Sequence, residues 1–156
     1  MHVVGITGTN GKSTCAMLTA QSLKRLGKCC GVIGTLGCGF PEDLRQSSLT
    51  TPDPISLHQD LALFVQQHAR YVCLEVSSHS LDQARNEGVR FGTVVFTNIT
   101  RDHLDYHGTQ EHYRASKSKL FTESSASCAV LNIDDSFGRS LVDLSLIHIS
   151  EPTRPY

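Results

Sequence analysis

The sequence predicts an α/β fold, a mostly parallel β-sheet flanked by helices. Two observations carry that expectation. Short apolar, β-rich runs alternate with amphipathic segments of helical period, the order expected of a parallel sheet. The runs also pass into loops rich in Gly, Ser and Thr, and loops at the carboxyl ends of parallel strands are where ligands bind.

The expected strands are Val3–Thr7, Cys30–Gly34, Tyr71–Val76, Thr93–Thr97 and Cys128–Asn132. A first helix, about Ser13 to Leu26, puts Ala16, Ala20, Leu23 and Leu26 on one face, and Gly27 supplies its stop. A second helix follows Pro54 with Leu57, Leu61, Phe64 and Val65 inward, and a third spans roughly Thr109 to Thr122. Between the second strand and second helix, about Gly37 to Asp53, the composition reads as a loop.

At 156 residues the chain is one domain's worth, long enough for a substantial core. A net charge of -1 leaves no electrostatic footprint for nucleic acid. No apolar stretch approaches the roughly 20 residues of a membrane span, and Met1 leads straight into a strand pattern without a signal peptide. The six cysteines lack C-x-x-C spacing and mostly lie in apolar runs. They read as reduced, cytoplasmic core residues, with a zinc site as the alternative.

Residues Gly5 to Thr14, Gly-Ile-Thr-Gly-Thr-Asn-Gly-Lys-Ser-Thr, follow the first apolar run and open the first helix. Glycines let backbone N–H groups turn toward phosphate oxygens, and the helix N-terminus adds partial positive charge. The order suits a nucleoside triphosphate, with Gly8, Thr9, Asn10, Gly11, Lys12, Ser13 and Thr14 around the phosphates. Lys12 reaches the β- and γ-phosphates and the Ser13 hydroxyl ligates Mg²⁺ in such loops. Ile6 stands where the commonest P-loop has glycine, so this is a variant.

Glu75 ends the apolar run Tyr71-Val-Cys-Leu, where a nucleotide hydrolase keeps an acid for Mg²⁺; a solvated strand-end glutamate is the alternative. Residues Thr97 to His107 concentrate Asp102, His103, Asp105 and His107 beyond another strand end. His103 there is a candidate metal ligand or phosphate contact, against the usual lone loop histidine. Lys117 lies four residues after Tyr113, three before Leu120 and four before Phe121, on the apolar face of the third helix. Lys119 points about 200° away, toward solvent. A buried lysine tends to lose its proton, and a neutral amine can take up CO₂ to give a carbamate able to hold Mg²⁺. A snorkelling lysine is the other reading.

Thr7-Gly-Thr-Asn-Gly-Lys-Ser13, Glu75-Val-Ser-Ser-His79, Asn98-x-x-x-Asp-His-Leu-Asp105 and Ala115-Ser-Lys117 together resemble the central ATP-binding domain of Mur ligases. More narrowly, they resemble the branch that adds the third amino acid to UDP-MurNAc-L-Ala-D-Glu. The resemblance runs from about Val3 to Asp143 and implies a P-loop NTPase-like fold. It implies an ATP- and Mg²⁺-dependent ligase of peptidoglycan synthesis in the cytoplasm, monomeric at full length. The incoming amino acid is meso-diaminopimelate or L-lysine, joined through an acyl phosphate. Residue by residue, it implies Mg²⁺ on Glu75 and His103, a carbamylated Lys117, and a UDP-MurNAc-dipeptide held by Thr50, Thr51, Ser77, Gln83 and Arg85. Arg85 is expected to grip a substrate carboxylate. Leu49 stands where many members have Asn, and Ser80 where many have Gly.

The family has two further domains, so residues 1–143 are expected to be part of a central domain, inactive alone and with an exposed sheet edge that favours aggregation. Residues 144–156 resemble the conceptual translation of a transposase adapter and are expected to be foreign to it; a genuine short C-terminal segment is the alternative. Two other functions compete: a folylpolyglutamate synthase-type ligase, and a non-catalytic nucleotide-binding module that uses the loop as a switch.

Overall fold

A computed structural model describes residues 1–144. Seven strands, β1 (His2–Thr7), β2 (Cys30–Gly34), β3 (Gly37–Phe40), β4 (Asp43–Arg45), β5 (Tyr71–Glu75), β6 (Phe91–Phe96) and β7 (Cys128–Leu131), form one sheet in the order β4-β3-β2-β5-β1-β6-β7. β1 runs parallel to β5 and β6, β5 to β2, and β6 to β7, whereas β3 and β4 are antiparallel. The α/β, mostly parallel expectation therefore holds.

Period-two alternation sorts the strand side chains onto two faces. Val4, Ile6, Cys30, Val32 and Cys73 pack with Ala16 and Ala20 of α1 (Lys12–Arg25). The two alanines let that helix lie close to the sheet. The opposite face is larger: Val3, Ile33, Val72, Leu74, Val94 and Phe96 meet Leu57 and Phe64 of α2 (Pro54–Gln66), and Leu120 and Phe121 of α5 (Gln110–Thr122). Phe137 and Leu141 of α6 (Ser136–Leu144) complete it. Two short helices, α3 (Ser78–Asp82) and α4 (Leu104–His107), follow β5 and β6.

The helix ends follow local chemistry. Asp53 caps α2 by accepting from Ile55 N and Ser56 N, with Pro54 opening the first turn. Thr109 caps α5 through His112 N. Gly27, at φ 69°, closes α1 with Lys28 N donating to Leu23 O at 2.9 Å.

Three expectations need correction. Residues 37–45 are not loop but a β3–β4 hairpin; its Gly-Cys-Gly sequence hides strand character, and Gly37 and Gly39 have positive φ. Leu26 and Val65 face outward, 72% and 55% exposed. Leu26 is the C-cap, where the chain leaves the helix, and Val65 is turned about 100° from buried Phe64. Of the cysteines only Cys30, Cys38 and Cys73 are buried; Cys15 is intermediate, and Cys29 and Cys128 are exposed. All six are free thiols. The segment expected to be foreign lies, from residue 145 onward, outside the described residues.

Candidate nucleotide and substrate site

β1 is the point where the chain order reverses. Its neighbours β5 and β6 both come later in sequence, so the loops after these three strands converge at one edge. The glycine-rich loop begins there. Gly8 has φ 146°, and a Cβ on it would collide with Thr97 Oγ1 on the β6 side. Thr9 N donates to Asn98 O at 2.8 Å. Asn98 also clamps Asn10, accepting its N–H at 3.0 Å and donating to its carbonyl at 3.0 Å. Thr97 Oγ1 donates to the same Asn10 carbonyl at 2.7 Å. Gly11, at φ 82°, starts α1 without a side-chain cap, so the first-turn amides, with Ser13 and Thr14, face the loop.

Two lysines converge on one carbonyl. Lys12 Nζ donates to Gly8 O at 2.9 Å and Thr9 O at 2.8 Å. Lys117 Nζ donates to Gly8 O at 2.9 Å and reaches Thr7 Oγ1 at 3.5 Å. Its Nζ also lies 4.8 Å from the centre of the Tyr113 ring, and only 1% of the residue is exposed. Burial pushes the Lys117 amine down to about 7; Lys12 adds to that, and Asp102 opposes it. Burial lowers Lys12 as well, against Glu75 and Asp102. The periodicity therefore located Lys117 correctly, and it does not snorkel. Lys119 is not free in solvent: its Nζ is 3.8 Å from Asp82 Oδ1.

Glu75 is likewise buried rather than solvated, 1% exposed. Its carboxylate accepts from Thr35 N at 3.1 Å and Thr35 Oγ1 at 3.2 Å, over Gly34, where a Cβ would strike Oε1. The expected substrate residues form one connected network around it. Thr35 Oγ1 lies 2.9 Å from Thr50 Oγ1. Thr51 Oγ1 donates to Glu75 O at 2.8 Å and accepts from Ser77 N at 3.0 Å. Arg85 donates to Thr51 O at 3.2 Å and to Gln83 Oε1 at 2.7 Å. Ser80 closes the first turn of α3 on Ser77 through both its N–H and its hydroxyl.

His103 is the loosest member. No hydrogen bond among the described residues joins its ring to Glu75 or Lys117. It sits half-exposed beside Asp102, its ring 4.8 Å from that of His79 and 6.1 Å from that of Tyr113. Tyr113 links it to the loop, its hydroxyl 3.0 Å from Thr9 Oγ1. Burial, and then His103, lower His79. Thr35, Tyr113 and the double clamp by Asn98 were missed as site residues. Asn98 stood inside a quoted motif, but the other two depend on which strands are neighbours.

Residues 6–147 match the Mur ligase middle domain. The UDP-N-acetylmuramoyl-L-alanyl-D-glutamate--2,6-diaminopimelate ligase of Ectopseudomonas mendocina is 52% identical over 141 residues, 90% of this chain and 29% of that protein. The ligase of the same name from Chromobacterium violaceum is 53% identical over 141 residues, again 90% and 29%. A solved structure of a ligase of this name superposes with a TM-score of 0.85 at 37% identity, covering 92% of this chain and 29% of that one. A bifunctional folylpolyglutamate synthase/dihydrofolate synthase with Mn, AMPPNP and L-glutamate bound shares the fold, with a TM-score of 0.65 at 20% identity. The chain thus spans about 29% of the length of these diaminopimelate ligases. By the match across most of its length, and by identities near one half, the chain belongs to the Mur ligase family as a stretch of its middle domain.

Proposed function

We propose that this chain is the ATP-binding part of a ligase that joins meso-diaminopimelate, or L-lysine, to UDP-MurNAc-L-Ala-D-Glu in peptidoglycan synthesis. The observation that carries the reading is the buried Lys117 amine on the Gly8 carbonyl, beside Lys12 and a buried Glu75. A nucleotide switch has no use for a lysine on α5 driven toward neutrality against its phosphate loop. The folylpolyglutamate synthase alternative shares the fold but is far less similar in sequence.

The loop amides and Lys12 would hold the triphosphate and stabilise charge as the γ-phosphoryl group moves to the D-glutamate side-chain carboxylate. That transfer breaks the bond between the γ-phosphorus and its bridging oxygen and leaves ADP; the incoming amine then attacks the acyl carbon, phosphate departs, and the nitrogen loses a proton to give the amide. Thr50, Thr51, Ser77, Gln83 and Arg85, already tied together, would align the dipeptide; Arg85 can turn its fork from Gln83 to a carboxylate.

The donor set fits Mg²⁺, since the Ser13 hydroxyl and the buried Glu75 carboxylate are hard oxygen donors. An ammonium cannot ligate, so Lys117 joins only as the carbamate: neutral Nζ bonds to the carbon of CO₂, one C=O pair becomes O⁻, and the nitrogen proton leaves to solvent. His103 would complete the set after its ring swings from Asp102. Bound Mg²⁺ supplies neutralisation of the phosphate oxygens.

None of the described helices is long and apolar enough to cross a membrane, and a UDP-linked substrate would place the enzyme in the cytoplasm. The test is the complete gene product containing this segment, assayed for phosphate release. Release should require UDP-MurNAc-L-Ala-D-Glu plus diaminopimelate or lysine, and Lys117→Ala should lower it by ~10²–10³-fold, with partial rescue by short carboxylic acids. Release supported by folate and glutamate instead would replace the reading.

A further inference from the structure

We propose that Asp82, His107 and His112 form a second cation site, outside the nucleotide loop, that takes a borderline divalent transition ion of the zinc type. One side-chain ligand atom from each lies within 4.8 Å of the other two. The three residues come from the end of α3, the end of α4 and the first turn of α5, so a single ion would pin three separate helices.

The decisive observation is a buried nitrogen with nothing to bind. His107 is only 5% exposed, its Nε2 lies 3.0 Å from Ser78 Oγ, and its Nδ1 has no hydrogen-bond partner. Such a group has left water without gaining a partner, which is unfavourable. In the tautomer whose Nε2–H donates to Ser78 Oγ, Nδ1 carries a bare lone pair, the form a metal takes.

The other two ligands are oriented in the same manner, each by a bond to the atom a metal would not use. His112 Nδ1 is 3.1 Å from His107 O, which leaves Nε2 free to ligate. Tyr106 OH donates to Asp82 Oδ2 at 3.0 Å, leaving Oδ1. Such supporting contacts are how metal-binding histidines and carboxylates are fixed. Two histidines and a carboxylate suit zinc, which seeks donors at roughly 2.0–2.1 Å, hence about 3.4 Å apart when tetrahedral. His112 Nε2 and Asp82 Oδ1 are already 3.4 Å apart. The remaining contraction is open to them, because the His112 side chain is half-exposed.

The charges facing the site are few. Lys119 Nζ, 3.8 Å from Asp82 Oδ1, is the competing cation, and Ser116 Oγ donates to the same oxygen at 3.4 Å. The His79 ring stands 5.5 Å from that of His107. Burial, and then the neighbouring histidines His79 and His112, lower His107, against Asp82. Because Tyr106 OH also accepts from Gln83 Nε2 at 3.0 Å, an ion on Asp82 would stiffen the substrate side of the pocket. The site stands independently of the ligase reading, since none of its three ligands serves the nucleotide.

The test uses Co²⁺ and Zn²⁺ on the full 156-residue chain carrying Cys29→Ser and Cys128→Ser, which removes the exposed thiols. One equivalent of Co²⁺ should bind with ligand-field absorption lacking thiolate charge-transfer bands, be displaced by Zn²⁺, and resist excess Mg²⁺. His112→Ala and Asp82→Asn should each weaken binding by about tenfold or more, and Lys119→Met should tighten it. Zn²⁺ should raise the melting temperature of the parent and not of His112→Ala. No saturable binding, or unchanged affinity in both His112→Ala and Asp82→Asn, would overturn the proposal. The Lys119→Met arm decides the matter if either ligand variant fails to fold, since affinity there must rise.

Discussion

Lys12 and Lys117 meet on the Gly8 carbonyl, and burial first, with the Lys12 charge second, lowers the proton affinity of Lys117. The sign of the pH dependence follows. Lys117 titrates at about 7 when folded and at 10.5 when unfolded. Across that window the unfolded chain holds a proton that the folded one lacks, so stability rises with pH, the full cost of burial being present below pH 7. Urea melts between pH 7 and about 10 should show this rise in the parent and a flatter profile in Lys117→Met. Equal slopes would mean that Lys117 is not the group responsible. Gly34 is the second sensitive point. A methyl there meets the Glu75 carboxylate, so Gly34→Ala should cost about 1–3 kcal/mol in unfolding free energy. A neutral effect would show that the carboxylate can move aside at no cost. Glu75 and Lys117 were legible because each is a polar residue in an apolar pattern: one ends a strand, the other interrupts a helix stripe. Thr35 and Tyr113 were not, because neither breaks a pattern; they matter through partners 40 and 104 positions away.

At the level of the element, β1, β2 and β5 are readable because each is built on a short apolar run buried on both faces. The β3–β4 hairpin is not, since its glycines and polar residues look like loop and its strand character comes from pairing with β2. Helix faces were read less well near their ends. Leu26 has the right residue type and the wrong position, and the cap geometry decides. Leu26→Lys should therefore change stability by less than about 0.5 kcal/mol, whereas Ala20→Leu, at 0% exposure against the sheet, should cost about 1–3 kcal/mol. A large loss from Leu26→Lys would put that residue back in the core.

For the whole molecule, the placement of β1 between β5 and β6 brings distant motifs to one edge, and no local pattern encodes that order. The motif resemblance filled the gap, since residues that serve one nucleotide must share an edge. Among the described residues β7 pairs on one side only and exposes Val130, so Val130→Lys should raise the soluble yield of the chain without shifting its melting temperature. An unchanged yield would place the aggregation-prone surface elsewhere. The most direct test of the central claim is carbon-13 NMR of the chain equilibrated with labelled bicarbonate near neutral pH. With the Met1 α-amine blocked by acetylation, a carbamate resonance should appear, survive Lys119→Met and vanish in Lys117→Ala; no resonance, or one that persists without Lys117, would contradict the account.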